Sequence, residues 1–282
     1  MKNKRITYMA MSVSVAFLLY ISWSVVGYMQ TNTESADLSF KGYANKATFV
    51  LGEPVSVEFE FSNNGKTSLA VHKLGVENGI LKIFVANKDG EYKRFWGYGW
   101  GQVLGRMLSL APGKSYRYKD VTILYQGKIE TEGLSEKAAQ AKLEGNITTE
   151  YAFPEPGVYF IKGLSSYADK TPSFGKDSPP IEVKSIESEP IKITVIPPTG
   201  EDLEVWNQIK GNAEIALLMQ NGAFNTGKDA KKEQLMTQVE QIIVQYPNSI
   251  YSDYLKPNLE KYKAHQIVLK ESLKRAIIKP NN

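Results

Sequence analysis

The chain has 282 residues, 42% hydrophobic and 23% charged, and a formal net charge of +4. That composition is globular, the length permits one large or two modest domains, and the positive charge gathers toward the two ends, which argues against the basic folded face that nucleic acid needs. There is no cysteine and there are only two histidines, His72 and His265, so disulfides, thiolate metal sites, cysteine nucleophiles and a lipid anchor on an N-terminal cysteine are excluded, and a multi-histidine centre has little to draw on.

Residues 1–30 carry the strongest single signal. Lys2, Lys4 and Arg5 precede an uncharged run from Ile6 to Thr33. Basic residues followed by an apolar stretch mark an exported chain whose N-terminus stays in the cytoplasm. The run is long enough for a bilayer, which takes about 20 residues. The expectation is an N-terminal hydrophobic helix acting as a signal-anchor in the cytoplasmic membrane. A signal peptide cut near Gly27 or Ala36, giving a secreted or periplasmic product, is the alternative. Residues 31–46 are polar and read as a tether.

From 47 to 197 the pattern is that of short strands. Ala47–Leu51 precedes a Gly52-Glu53-Pro54 turn, and Val55–Phe61 alternates apolar with polar residues, as a half-buried strand does. Asn63-Asn64-Gly65-Lys66 favours a tight hairpin. Leu69–Val71, Ile80–Ala86 and Glu91–Trp96 follow, the last two joined by an Asn87–Gly90 turn. Met107–Leu110 and a strand region marked by Tyr116, Tyr118, Val121 and Ile123 come next. The alanine-rich stretch Leu134–Glu144 reads as a short helix or an insertion. Pro154, Pro156 and Gly157 form a turn that launches a central strand through Ile161, apolar enough to be buried on both sides. Tyr167–Ser188 reads as a long loop, and Pro190–Ile196 as the closing strand. Short strands at this spacing predict an antiparallel sandwich or barrel.

Pro197-Pro198-Thr199-Gly200 ends the sandwich, and Thr199 can cap a helix opening with Glu201 and Asp202. Residues 198–282 are helical in period. Leu203, Trp206 and Ile209 mark one face, and Leu235, Val239, Ile242 and Ile243 another. The turn Tyr246-Pro247-Asn248-Ser249 breaks the pattern. Tyr251, Leu255, Leu259 and Tyr262 resume it, with a further helix over Ile267–Ile278.

Two resemblances rest on these residues. Leu51–Val57, the Leu110–Ser115 turn, the Pro156–Tyr159 turn with a tyrosine just inside its strand, and the Ile191–Ile196 strand together look like bacterial extracytoplasmic immunoglobulin-like domains. The antibody cysteine pair is absent. Ile243–Tyr254 is similar to the helix junction of tetratricopeptide-like repeats of bacterial envelope proteins. One such junction implies a single helical hairpin, since an array needs about three units. The fold class is thus mostly β with a C-terminal α region.

No motif names a reaction, and the chain is expected to be no enzyme and to take no cofactor. Phe95-Trp96-Gly97-Tyr98-Gly99-Trp100-Gly101 is the most unusual composition. Trp96, Tyr98 and Trp100 could present rings to a sugar or a protein partner, or share one sheet face and fill the core. Glu58 and Glu60 read as the solvated side of a strand. Asp169, Asp177 and Glu182 share a loop, yet match no calcium-binding spacing and are opposed by Lys170 and Lys176. Ser165 and Ser166 lack a nucleophile frame. Asn146-Ile147-Thr148 fits a glycosylation acceptor. Three expectations follow: an envelope protein that binds another envelope protein, a carbohydrate-binding accessory module using residues 95–101, and, last, an inhibitor of a hydrolase or protease.

Overall fold

A computed structural model describes residues 37–73, 80–97, 107–126, 135, 151–169 and 182–278, without the side chains of Asp120 and residues 273–278. The N-terminal hydrophobic segment, the Leu134–Glu144 stretch apart from Ser135, and Asn146 lie outside the described residues. Among the described residues no helix is long and apolar enough to cross a membrane.

Alternation writes the strands. In β3 (Val55–Asn63) every second side chain from Val55 to Asn63 is buried, because a pleated strand turns successive residues to opposite faces. It lies between β1 (Leu38–Ala44) and β8 (Ser115–Ile123), antiparallel to both. β1 takes up residues 38–44 of the segment whose polar composition predicts a tether over 31–46, and corrects that expectation. Leu38 and Phe40 point into the core, and Phe40 stacks on Phe59 and Phe61 at 5.6 and 4.6 Å between centroids.

The second sheet is built on β9 (Gly157–Ala168), the strand that the Pro154–Gly157 turn launches. One edge of β9 pairs with β11 (Ile191–Ile196) and then β10 (Lys184–Glu187). The other pairs with β5 (Lys82–Asn87) and then β4 (Leu69–His72). β6 (Lys93–Phe95) continues from β5, β7 (Met107–Leu110) from β4, and β2 (Thr48–Val50) runs parallel to β11. The sheet is therefore mixed. β9 alternates in burial, with Tyr159 and Ile161 inward and Val158 and Phe160 half-buried, so it is a one-sided strand. Gly163 must lack a Cβ, which would sit 2.4 Å from the Phe59 ring across the core. β9 and β10 also occupy part of the stretch read as a Tyr167–Ser188 loop.

The turn after β3 is not a hairpin. β3 and β4 belong to different sheets, so Asn63–Lys66 carries the chain across the core. Asn63, 1% exposed, holds the crossing by donating to the carbonyls of Thr67 at 2.8 Å and Leu110 at 2.7 Å.

Four helices follow, the last two meeting at the Tyr246–Ser249 junction: α1 (Glu201–Ile209), α2 (Ala213–Asn221), α3 (Asp229–Gln245) and α4 (Ile250–Ile278). Thr199 does not cap α1 with its side chain. Gly200 is the N-cap, and Asp202 N–H meets the Thr199 carbonyl at 3.1 Å. Asp202 instead reaches across to α4, its carboxylate accepting from Ser249 Oγ at 2.9 Å and Ile250 N–H at 2.8 Å. α4 runs unbroken through Pro257 and absorbs the segment read as a separate last helix.

The helices build a second core against the sandwich, whose own core is a separate cluster around Phe59, Ile83 and Ile161. Leu124 and Tyr125 are buried with Ile209, Leu218, Tyr251 and Leu255, and Val50, Tyr151 and Trp206 pack on them. Residues 36–282 form a single compact unit. Polar bonds fix the seam. Gln220 Oε1 accepts from the N–H groups of Leu124 (2.9 Å) and Tyr125 (2.7 Å), while its Nε2 donates to the Gly97 carbonyl at 2.8 Å. Tyr251 OH donates to the Leu51 carbonyl. Glu53, 1% exposed, accepts from Tyr254 OH and Val50 N–H and pairs with Lys46 at 2.5 Å.

Candidate binding face

Of the three aromatics singled out by the sequence, Tyr98 and Trp100 lie outside the described residues. Trp96 lies one residue beyond β6 and is half-buried. Arg94 lies over its ring, with the guanidinium carbon 3.6 Å from the ring centroid. At that distance the cation and the ring face attract each other, the more so because partial burial has already stripped water from the guanidinium. The same burial lowers the Arg94 pKa, and the side chain stays charged at neutral pH. Gly97 follows at the seam, its carbonyl taken by Gln220.

Trp96 thus opens onto the outward face of the larger sheet, and the register sets three rows there. Lys82, Leu164 and Glu187 lie side by side, then Arg94, Phe84 and Lys162, then Ala86, Phe160 and Lys192. Phe84, Phe160 and Leu164 are half-buried, Lys82 and Lys192 exposed. Tyr92, just before β6 and 38% exposed, has the Lys162 ammonium 4.6 Å from its ring centroid. Lys162 also pairs with Glu187 at 3.6 Å. Burial, and then the Glu187 charge, raise the Tyr92 pKa, so its hydroxyl stays neutral at physiological pH. The face offers half-exposed rings, cations braced against two of them, and one carboxylate against four positive side chains. The sequence reading missed Phe84, Arg94, Phe160 and Lys162. Their alternation along β5 and β9 was visible, but the rows that join them need the pairing of strands far apart in sequence.

The other residues weighed for chemistry do not converge. Glu58 and Glu60 are paired to Arg117 at 3.3 and 2.5 Å on the outer side of the smaller sheet. Asp169 pairs with Lys184 at 2.6 Å, Glu182 is exposed, and Asp177 lies outside the described residues. Among the described residues no three potential ligands come together to hold a metal ion. His72 ends β4 half-buried, burial lowering its pKa, and His265 is exposed on α4. Ser165 is buried on the inward face of β9 and Ser166 faces outward.

No known protein family matches the chain, and no curated protein does. Among solved structures the chain is similar to a β-glucosidase of Erythrobacter marinus at a TM-score of 0.25 and 11% identity, over 56% of this chain and 15% of that one. It is similar to the sporulation control protein Spo0M of Bacillus subtilis at 0.25 and 11%, over 63% of this chain and 56% of that one. A structural-genomics target, SoR45, gives 0.27 and 10%, over 55% of this chain and 83% of that one. Likenesses at this level carry no argument about activity.

Proposed function

We propose that the protein is a non-enzymatic interaction module of the bacterial cell envelope, held outside the cytoplasmic membrane by its N-terminal segment, with an immunoglobulin-like sandwich as the binding part. The observation that carries the reading is the outward face of the larger sheet. Aromatic and arginine side chains dominate the energetics of protein interfaces, and here Phe84 and Arg94 pair on β5 and β6 with Tyr92 and Trp96 flanking β6. The immunoglobulin-like assignment is supported by the parallel β2–β11 pair beside antiparallel β9 and β5. It is supported too by Tyr159, whose hydroxyl donates to the Glu155 carbonyl at 2.8 Å, as a tyrosine corner does. The basic-then-apolar order of residues 2–29 supports the anchor.

Fractionation of the tagged protein, with the mature N-terminus read by mass spectrometry, tests the placement. An intact N-terminal segment in the membrane fraction, with residues 37–278 cut by protease added to spheroplasts, is the expected result. A protein recovered from the cytoplasm in soluble form would overturn it. Cleavage near Gly27 or Ala36 would keep the interaction module and remove the anchor.

A further inference from the structure

We infer that the outward face of β5, β6 and β9 docks an acidic polypeptide segment of an envelope partner, an inference that rests on the interaction-module reading above. The charge is one-sided: Lys82, Arg94, Lys162 and Lys192 point outward along these strands and β11, against Glu187 alone among the outward positions of the three rows. Phe84 sits between Arg94 and Lys162 in one row. Neighbouring strands are about 4.8 Å apart, so these two cations flank an apolar ring at roughly 10 Å from each other. A segment with two carboxylates at that separation and an apolar residue between them complements the row.

The rings themselves favour a polypeptide over a sugar chain. A saccharide binds aromatic side chains by lying flat on the ring. The Trp96 ring has Arg94 over it at 3.6 Å and the Tyr92 ring has Lys162 at 4.6 Å. A sugar on those faces would displace the cations, whereas a carboxylate can add to them without taking them off the rings. Cations held on rings have also given up much of their rotamer freedom, so less entropy is lost when they take a partner. Half-exposed Phe84, Phe160 and Leu164 supply the apolar area that a purely ionic contact lacks. Glu187, already paired to Lys162, sits at the edge of the patch and sets the register against a partner's own negative charge.

The test places a photo-crosslinking amino acid at Tyr92 of the full-length chain, in intact cells of the source organism. A control carries it at Lys41, exposed on β1 of the other sheet. Adducts are mapped by mass spectrometry to the residues joined. The expected result is a Tyr92-specific protein adduct on an aspartate- and glutamate-rich segment. Its yield should fall at least tenfold in the Arg94→Glu/Lys162→Glu variant. Lys82→Glu/Lys192→Glu changes only exposed side chains and keeps the charge test valid if the first variant fails to fold; it should weaken the adduct several-fold. A protein adduct on a neutral or basic segment, or one indifferent to both charge reversals, overturns the acidic partner while leaving the interaction module in place. Adducts only to glycan or lipid, or no adduct that distinguishes Tyr92 from Lys41, overturn both.

Discussion

Glu53 is the residue on which the two parts of the fold turn. Its carboxylate is buried and meets Lys46, Tyr254 OH and Val50 N–H. Glu53→Ala strands three donors at once, one of them a partly exposed lysine, and should lower stability by about 2–4 kcal/mol. Glu53→Gln keeps an acceptor and should cost about 1 kcal/mol. Urea unfolding midpoints of the two variants check the order. The same seam predicts an alkaline limit. Burial raises the pKa of Tyr251 and Tyr254, with nearby carboxylates adding to it. The sign follows from which state holds the protons. Below pH 10 both phenols are protonated in folded and unfolded chains, and their contribution is complete. Above pH 10 the unfolded chain releases two protons that the folded one keeps, so stability falls by about 2.7 kcal/mol per pH unit from this pair. Tyr251→Phe/Tyr254→Phe should lose stability at pH 7, through the bonds to Leu51 and Glu53, yet show a shallower decline above pH 10. An equal slope in the variant would place the alkaline loss elsewhere. None of this was legible in the sequence, where Glu53 reads as an ordinary turn residue. The Tyr254 hydroxyl that meets it comes from 201 residues away.

Among the elements, the most demanding fit is between the β2–β3 turn and α1. Gly52 has a φ of 81°, and a Cβ there would lie 2.1 Å from the Trp206 ring. Trp206 in turn stacks on Tyr251 and meets Tyr151 edge-on, at 6.2 and 5.5 Å between centroids. Gly52→Ala therefore combines backbone strain with overpacking and should destabilise by about 2–5 kcal/mol. Trp206→Leu should cost about 2–4 kcal/mol alone. Combined with Gly52→Ala it should cost less than the two added together, because the ring that clashes is gone. A double-mutant cycle by thermal unfolding measures that coupling, and strict additivity would remove the clash as the cause. At this scale the sequence was partly readable. The β3 alternation, the Pro-Gly launch of β9 and the Tyr246–Ser249 break between α3 and α4 all stand where they were placed. β1 was not, because only Leu38 and Phe40 mark it before Gly42 and half-exposed residues interrupt the pattern. The Asn63–Lys66 turn misled for a different reason: Asn-Gly specifies a tight turn but not whether the next strand returns to the same sheet. The bonds from Asn63 to nearby Thr67 and to distant Leu110 decide that.

For the whole molecule, the question is whether sandwich and helices fold as one. Pro197-Pro198 marks the boundary in sequence, and a proline-rich junction between patterns usually signals separable domains. The structure has two hydrophobic clusters, yet the residues that follow β8 belong to the helical one. Leu124 and Tyr125 are 1% and 5% exposed inside the helical core, and Gln220, Tyr251 and Tyr254 carry hydrogen bonds across the seam. Hydrophobic interfaces of this kind couple their halves, since opening one exposes the other's core to water. The amides of Ile161 and Gly163 in β9 should therefore lose exchange protection at the same urea concentration as those of Leu255 and Leu259 in α4. Residue-resolved hydrogen exchange along a urea series reads this directly. Loss of α4 protection at lower urea, with β9 intact, would make the helices an independent unit. Gln220→Ala is the variant that separates the two outcomes further. It leaves the N–H groups of Leu124 and Tyr125 without their acceptor, at a cost of about 2–3 kcal/mol. In a single cooperative unit that cost lowers β9 and α4 together. In a two-unit chain α4 would lose protection at lower urea than β9, and the binding face, whose Trp96 end is tied to Gln220 through Gly97, would loosen while the strands beneath it held.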